Sequence, residues 1–225
     1  MKRYFPAVLT AVCFFCGCAT QKPPDYTMYR AHFPKSVLVV PVINNSAEVN
    51  AEDYFLATVT QPLAERGYYV FPVNLSRNLL YESGLSDPGL VHNAAPQKMG
   101  ELFGTDAVLY ITIEKWNTKY VLLTAQTTVS FTYTMKDTRS GETIWQNAHT
   151  MVYTPHSQSS GSPIADLVVM VVNAAATKAA PPYMPLARQA NVQAFCVAGT
   201  GIPCGHYNPD YGKDSGKFVG LREHK

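Results

Sequence analysis

The chain has 225 residues, a formal net charge of +2 and 15% charged residues. It carries no block of lysine or arginine, which excludes the basic stripe expected of a nucleic-acid-binding protein. Its length suits one compact domain with flanking segments, without a second full domain.

The first residues are typical of an export signal. Met1, Lys2 and Arg3 form a short cationic start, and an uncharged apolar run follows as far as Phe15. That run is about a dozen residues long, whereas a helix needs roughly twenty to cross a bilayer. We therefore predict a signal peptide over residues 1–17, with an uncleaved anchor as the alternative.

The segment Phe15–Ala19, with the sequence FCGCA, resembles the lipobox read by lipoprotein signal peptidase. Gly17 is the small residue that precedes the modified cysteine in such motifs, which makes Cys18 the predicted lipidation site. Cys13 and Cys16 are rivals, but each follows a large residue. The alternative is an ordinary secretory signal that leads to no lipid.

The mature chain divides into three predicted segments. Prolines and little apolar periodicity predict an extended tether over residues 18–34. An α/β domain is predicted over residues 35–198. Residues 199–225, rich in glycine, proline and tyrosine, are predicted to be poorly ordered except around their cysteines.

The first half of the domain is predicted to alternate strands and helices. The run Ser36–Ile43 is β-branched and almost free of polar residues, as in a strand that is covered on both faces. Helical spacing of apolar residues, turn residues and caps define the elements that follow. In order, they are a helix at Ala51–Arg66, a strand at Tyr68–Val73, a helix at Asn74–Ser83, a loop at 83–93, a helix from Pro96 to Gly104 and a strand at 107–114.

The clearest pattern lies between Tyr120 and Lys136, where apolar residues take the odd positions and polar residues most of the even ones. Period two over that length indicates a half-exposed antiparallel strand, or two strands joined by a bend. Residues 137–142 form a turn, and Thr143–Tyr153 returns as the partner strand. The pattern predicts a long β-hairpin.

Two helices are predicted near the end of the domain. Ser162 and Pro163 begin the first, whose apolar stripe is interrupted by charged and polar residues and therefore suits a helix packed on the sheet. Pro181 and Pro182 start the second, which is rich in alanine and reaches about Val197. The expected fold is a single α/β (α+β) domain with a mixed central sheet, a long antiparallel hairpin and helices packed on it.

Cys196 and Cys204 are the two cysteines outside the export segment. In an oxidising periplasm they are a candidate disulfide that closes a loop of glycine and proline. Metal binding together with His206 is the alternative, but it lacks a fourth ligand at the usual spacing. We predict neither a metal site nor a cofactor.

The sequence contains no nucleophile elbow, phosphate-binding loop or His-Glu-x-x-His motif. His149 and His156 could form a paired site, although an exposed strand residue and a loop residue is the simpler interpretation. Trp116 and Trp145 are expected to be sheet-face or interface aromatics. We therefore predict that the protein is not an enzyme and has no catalytic residue.

Three stretches carry a family resemblance: Val37–Asn45, Pro62–Val73, and Gly104–Ile113 with the hairpin that follows. They resemble a family of small bacterial outer-membrane lipoproteins with a domain similar to the TolB amino-terminal domain, the curli-secretion channel lipoproteins and the lipoprotein activators of peptidoglycan synthases. The resemblance implies that fold and an outer-membrane location. Ala19 after the lipidated cysteine agrees, since an aspartate there would signal retention in the inner membrane.

These observations predict a lipid-anchored periplasmic domain that binds a partner protein in an envelope secretion or assembly complex, with a curli-channel type of lipoprotein as one candidate partner. A regulator of peptidoglycan synthesis is the first alternative. A hydrolase or small-ligand binder, with its site in loop 83–93 or at His149 and His156, is the second. The oligomeric state stays open.

Overall fold

The computed structural model describes residues 25–121, 124–153 and 183–218. The predicted signal peptide, Cys18, His156 and the helix that begins at Ser162 lie outside these ranges. The helices are α1 Thr27–His32, α2 Ala51–Glu65, α3 Val73–Glu82, α4 Pro88–Asn93, α5 Pro96–Phe103 and α6 Tyr183–Cys196, with a 3-10 turn at Ser215–Lys217. The strands are β1 Ser36–Val39, β2 Ile43–Asn44, β3 Tyr69–Val70, β4 Ala107–Val121, β5 Thr124–Asp137 and β6 Thr143–Tyr153.

The strands form one mixed sheet in the order β3-β1-β4-β5-β6, and β2 pairs with β4. β3, β1 and β4 are parallel, whereas β4, β5 and β6 are antiparallel neighbours. This confirms the predicted α/β fold with a mixed central sheet. The long hairpin is β5–β6, and the period-two pattern that began at Tyr120 spans the end of β4 and the whole of β5.

Burial explains why β1 has no polar side. Val37 and Val39 contribute to the larger of two apolar clusters, while Leu38 and Val40 contribute to the smaller one on the other face of the sheet. All four side chains are buried. A strand covered on both faces reads as a continuous apolar run, as expected.

The larger cluster lies between the sheet and α1, α2, α6 and the C-terminal segment. The apolar odd positions of β5 face it, and they are the buried residues Val129, Phe131, Tyr133 and Met135. The smaller cluster lies between the sheet and α3, α4 and α5, which contribute Leu80, Val91 and Met99. Helices therefore cover both faces at the parallel end of the sheet.

Two segments differ from the sequence expectation. Residues 27–32, within the predicted extended tether, form α1, and Tyr26 and Tyr29 are buried in the larger cluster. Residues 199–218, assigned to a poorly ordered tail, lie against the domain and bury Ile202 and Phe218. Both segments are held by contacts between distant parts of the chain, which leave no periodic pattern in the sequence.

The predicted loop 83–93 also differs, because it contains helix α4. The side chain of Asp87 accepts a hydrogen bond of 3.0 Å from the amide of Leu90, and Pro88 occupies the first helical position. Both features favour a helix start. The short length of α4 concealed it among glycines and serines.

Candidate functional site

A cleft lies at the carboxyl ends of the parallel strands. From β1 the chain continues into α2 on the larger-cluster face, and from the adjacent β3 it continues into α3 on the opposite face. Neighbouring strands whose helices leave to opposite faces open a crevice between them, which is where α/β proteins bind ligands. A cavity of about 260 Å³ occupies this place.

The cleft is lined by charged and polar side chains from α2, α3 and the α3–α4 connection. Glu52 comes from the first turn of α2, and Arg77, Asn78 and Tyr81 come from α3. Ser86 belongs to the predicted loop 83–93 and completes the polar lining. The cleft therefore offers one carboxyl, one guanidinium and neutral hydrogen-bonding groups.

Burial raises the pKa of Glu52 above its ordinary value, against the opposing attraction of Arg77. Arg77 is also ion-paired with Asp53 at 3.3 Å, in an exposed position. A half-buried carboxyl beside a cation can accept a donor group or a cation from a small ligand, and the guanidinium can bind an anion. The arrangement suits recognition of a small charged ligand.

His92 lies next to the carbonyl of Pro41, which is part of the cleft wall. Its Nε2 is 2.9 Å from that oxygen, and its ring packs edge-on against Tyr110 at 5.1 Å. Burial lowers the pKa of His92. Its ring is thus engaged in packing and in one backbone contact, which assigns it a structural role.

A second cavity, of about 340 Å³, contains both predicted disulfide cysteines. Asp214 is among its lining residues, and its Oδ2 accepts hydrogen bonds from Arg66 at 3.1 Å and from the amide of Cys204 at 2.7 Å. Lys213 and Lys217 lie at its rim. The cavity is therefore a polar seam between the end of α2 and the C-terminal segment.

Cys196 and Cys204 are both free thiols in this structure. Burial raises the pKa of Cys196, and it raises that of Cys204 to about 11. Both thiols are protonated at neutral pH, which disfavours nucleophilic or metal-binding roles. The disulfide between them stays a prediction.

His149 and His206 make separate contacts, and His156, the predicted partner of His149, lies outside the described residues. His149, on β6, contacts Oε1 of Gln193 on α6 at 2.6 Å. His206 packs against the rings of Tyr207 and Tyr211, each at 5.3 Å. Across residues 25–121, 124–153 and 183–218, no group of three His, Cys, Asp or Glu side chains is arranged to hold a metal ion.

Of the two expected placements of the tryptophans, the structure shows the sheet face, since Trp116 on β4 and Trp145 on β6 are both buried in the larger cluster. Trp116 is buried against Phe55, and Trp145 donates a hydrogen bond of 3.1 Å to the carbonyl of Gly201. Their burial removes them as ligand platforms or exposed contacts. Trp145 helps to hold the C-terminal segment in place.

An exposed apolar surface lies on α3 and α4, on the face opposite the larger cluster. The exposed large apolar side chains of these two helices are Leu75, Leu79, Leu90 and Tyr81, of which Tyr81 also lines the cleft, and we call the four the α3–α4 apolar surface. Leu75 is 67% exposed, Tyr81 68% and Leu90 54%. Several large apolar side chains on adjacent elements are a feature of protein-binding surfaces.

The charged residues of the cleft and the α3–α4 apolar surface are not recognisable from the amino-acid sequence alone. In the sequence, Glu52 and Arg77 look like ordinary charges on helix surfaces. They meet because α2 and α3 follow the neighbouring strands β1 and β3 and begin at the same end of the sheet. Leu75 and Leu79 were readable as a helical pair at four-residue spacing, but the sequence does not show that their face lacks a partner. Among the described residues, no helix is long and apolar enough to cross a membrane.

Comparison with known proteins identifies a family. The family model described as "Putative lipoprotein GNA1162-like" matches residues 24–200. A Neisseria meningitidis serogroup B lipoprotein, NMB1124/NMB1162, is 38% identical over 167 residues, which are 73% of this chain and 77% of that protein. Neither description names an enzymatic activity.

Two solved structures are also similar. Lipoprotein GNA1162 from Neisseria meningitidis is 36% identical, with a TM-score of 0.54 and coverage of 64% of this chain and 100% of that one. A PelC dodecamer from Paraburkholderia phytofirmans is 14% identical, with a TM-score of 0.45 and coverage of 71% of this chain and 83% of that one. The Neisseria lipoprotein shares the α/β fold of this chain.

Proposed function

We propose a protein-binding role in the cell envelope for this chain, which belongs to the GNA1162-like family of lipoproteins. In this proposal the signal peptide is removed before Cys18, and acyl chains on that residue hold the domain at the outer membrane, facing the periplasm. The domain then acts without catalysis, as a docking component of a secretion or assembly complex.

The observation that carries the proposal is the α3–α4 apolar surface. Fully burying a leucine contributes about 1.5–3 kcal/mol, so two or three such residues can anchor a partner. The surface lies on the helices of the smaller cluster, while the chain that follows Cys18 joins the domain at α1, on the opposite face of the sheet. A partner protein can therefore reach the α3–α4 apolar surface while the tether joins the domain on the opposite face of the sheet.

The anchor is tested by metabolic labelling with a palmitate analogue. Labelling that globomycin blocks, and that Cys18→Ser removes, supports the anchor. Cys16→Ser is the matched control, because that cysteine lies in the same segment but follows Phe15. Retained label in C18S, or an unmodified mature N-terminus by mass spectrometry, would contradict it.

Docking is tested by site-specific photo-crosslinking in intact cells. A photo-reactive amino acid replaces Leu75 in one strain and Val49 in another. Val49 is an exposed apolar residue of the loop before α2 and serves as the matched control, at 85% exposure. An adduct to an envelope secretion or assembly protein from position 75, absent from position 49 and lost in L79D, supports the proposal.

The same adducts decide between the protein-binding alternatives. A secretion-channel protein favours the proposed role, whereas a peptidoglycan synthase favours a regulator of cell-wall synthesis. Equal adducts from positions 75 and 49 would remove the α3–α4 apolar surface as the docking site.

Small-ligand binding is a second candidate, favoured by the position of the cleft at the carboxyl ends of the parallel strands. The side chains of Glu52 and Arg77 suit a small ligand that carries both an amine and a carboxylate. Muropeptides are a suitable probe in a thermal-shift assay. A rise in Tm that is lost in R77Q but kept in R139Q, a change at a residue that is exposed and far from the cleft, would support this candidate.

A further inference from the structure

The end of the domain where α1 leads into β1 carries a cluster of aromatic side chains. The ring of Tyr211 lies 5.0 Å from Phe33 and 5.3 Å from His206, which in turn lies 5.3 Å from Tyr207. Tyr207 is 65% exposed and Tyr211 41%. We call Phe33, His206, Tyr207 and Tyr211 the aromatic end surface.

The aromatic end surface belongs to the amino ends of the parallel strands. Phe33 is the C-cap of α1, three residues before β1 begins. The loop that carries the tyrosines is bound to the start of β3, because Tyr207 donates its amide hydrogen bond to the carbonyl of Gly67 at 3.0 Å. The cleft beside Pro41 lies at the other end of these strands.

The chemistry of this surface suits the polar headgroup region of a bilayer. Tyrosine combines an apolar ring with a polar tip, and it is enriched where membranes meet water. Lys35 and Lys213 are exposed, two residues after Phe33 and Tyr211 in the chain, and the exposed carboxylate of Asp210 is ion-paired with Lys213 at 3.7 Å. Aromatic rings therefore make up most of this surface. Its lysines exceed its exposed carboxylate by one, and anionic phospholipid headgroups attract such a positive charge.

The length of the tether limits which side of the domain can approach the anchor. From Cys18 to Asp25, the first described residue, the chain spans at most about 25 Å when fully extended. A domain of this size is roughly 40 Å across. The side at which α1 begins must therefore lie close to the bilayer, and α1 is held to the aromatic end surface by the contact between Phe33 and Tyr211.

We propose that the aromatic end surface rests in the headgroup region of the same bilayer that holds the acyl chains on Cys18. This inference depends on the proposed lipid anchor. It gives the domain a defined orientation, in which the cleft points away from the membrane. It also leaves the α3–α4 apolar surface free of the bilayer for a partner protein.

The test uses the full lipidated chain in vesicles of phosphatidylethanolamine and phosphatidylglycerol that contain a fluorescent phospholipid. The photo-reactive amino acid p-benzoylphenylalanine replaces Tyr207 in one protein and Tyr81 in the other. The two tyrosines are a matched pair, at 65% and 68% exposure, and Tyr81 lies on α3. After illumination we expect about tenfold more phospholipid adduct from position 207, because interfacial side chains lie among the headgroups.

Equal phospholipid labelling at the two positions would overturn the orientation, as would a predominant protein adduct from position 207. The intact mass of each sample separates this failure from failure of the anchor. A chain that carries diacylglycerol but shows no excess at position 207 contradicts only the membrane contact. An unmodified Cys18 contradicts the anchor and removes the tether argument with it.

Discussion

The hydroxyl of Tyr26 donates a hydrogen bond of 2.6 Å to the carbonyl oxygen of Gly201, joining residues 175 positions apart in the sequence. The same oxygen accepts a hydrogen bond from Trp145. The hydroxyl of Tyr68 likewise donates a hydrogen bond of 2.7 Å to the carbonyl oxygen of Pro203. Buried tyrosines thus hold α1, the start of β3 and the C-terminal segment together.

The two tyrosines should differ in their contribution to stability. Tyr26→Phe leaves the Gly201 carbonyl with its bond from Trp145, so we expect a loss of about 1 kcal/mol. Tyr68→Phe leaves the Pro203 carbonyl and the hydroxyl of Tyr29 without this buried partner, and should cost about 2–3 kcal/mol. Urea unfolding of both variants measures the difference, and a larger loss for Y26F would contradict it.

The Arg66–Asp214 pair is expected to matter far more than the exposed pairs. Its side chains are 17% and 11% exposed. Arg66 Nε is buried and finds no hydrogen-bond partner among the described residues. Asp214→Asn should therefore destabilise the fold by about 3 kcal/mol, because it leaves a largely buried guanidinium without its counter-ion.

Asp53→Asn is the matched control for that change. It breaks the Arg77–Asp53 pair, whose side chains are 44% and 70% exposed. A surface ion pair contributes about 0–1 kcal/mol to stability, so the denaturant midpoint of the control should lie close to that of the parent protein. Comparable losses for D214N and D53N in denaturant melts would show that the Arg66–Asp214 seam is not a structural centre.

The ionisation of the Asp137 carboxyl is expected to make the stability of the fold depend on pH. Burial tends to raise its pKa, but hydrogen bonds from the amide and hydroxyl of Ser140 and the amide of Arg139, with His32 nearby, outweigh burial and lower the pKa. A carboxyl whose folded pKa lies below its unfolded value, about 3.9, stabilises the fold fully above that value and loses the contribution as pH falls through the folded pKa.

We therefore expect Asp137→Asn to be less stable than the parent at pH 6, with the difference shrinking as the pH falls into the acid range. Urea midpoints measured between neutral pH and the acid transition test this. Asp53→Asn is again a control, since that carboxyl is 70% exposed and its ion pair with Arg77 contributes little to stability. A D137N penalty that persists unchanged in acid would contradict the assigned ionisation.

The elements with a regular period were predictable, and those held by distant polar contacts were not. β1 and β5 are recognisable in the sequence. β1 is buried on both faces and is apolar throughout, whereas β5 is buried on one face and alternates apolar and polar residues. α1 and residues 199–218 depend on tyrosine hydroxyls that meet carbonyls far away in sequence. The cleft was not predictable for the same reason, because its Glu52 and Arg77 lie on different helices and meet only in the folded chain.

The candidate disulfide gives the last prediction. Cys196 and Cys204 line the same cavity, and in the periplasm a thiol–disulfide oxidase can accept the two electrons and two protons released when their sulfurs bond. Closing this short loop should stabilise the fold by about 2–3 kcal/mol if the geometry is unstrained. Protein purified from the cell envelope should therefore resist alkylation at both positions under denaturing conditions until it is reduced.

Cys204→Ser and the chemically reduced parent separate the disulfide from the loss of a buried thiol. Reduction should lower the urea midpoint of the parent and leave that of C204S unchanged, because the variant has no bond to break. The raised pKa of Cys204 adds a second signature, since its protonated thiol should react slowly with iodoacetamide in the folded, reduced protein. Full alkylation of the unreduced, unfolded protein from the cell envelope would show instead that the two cysteines remain thiols.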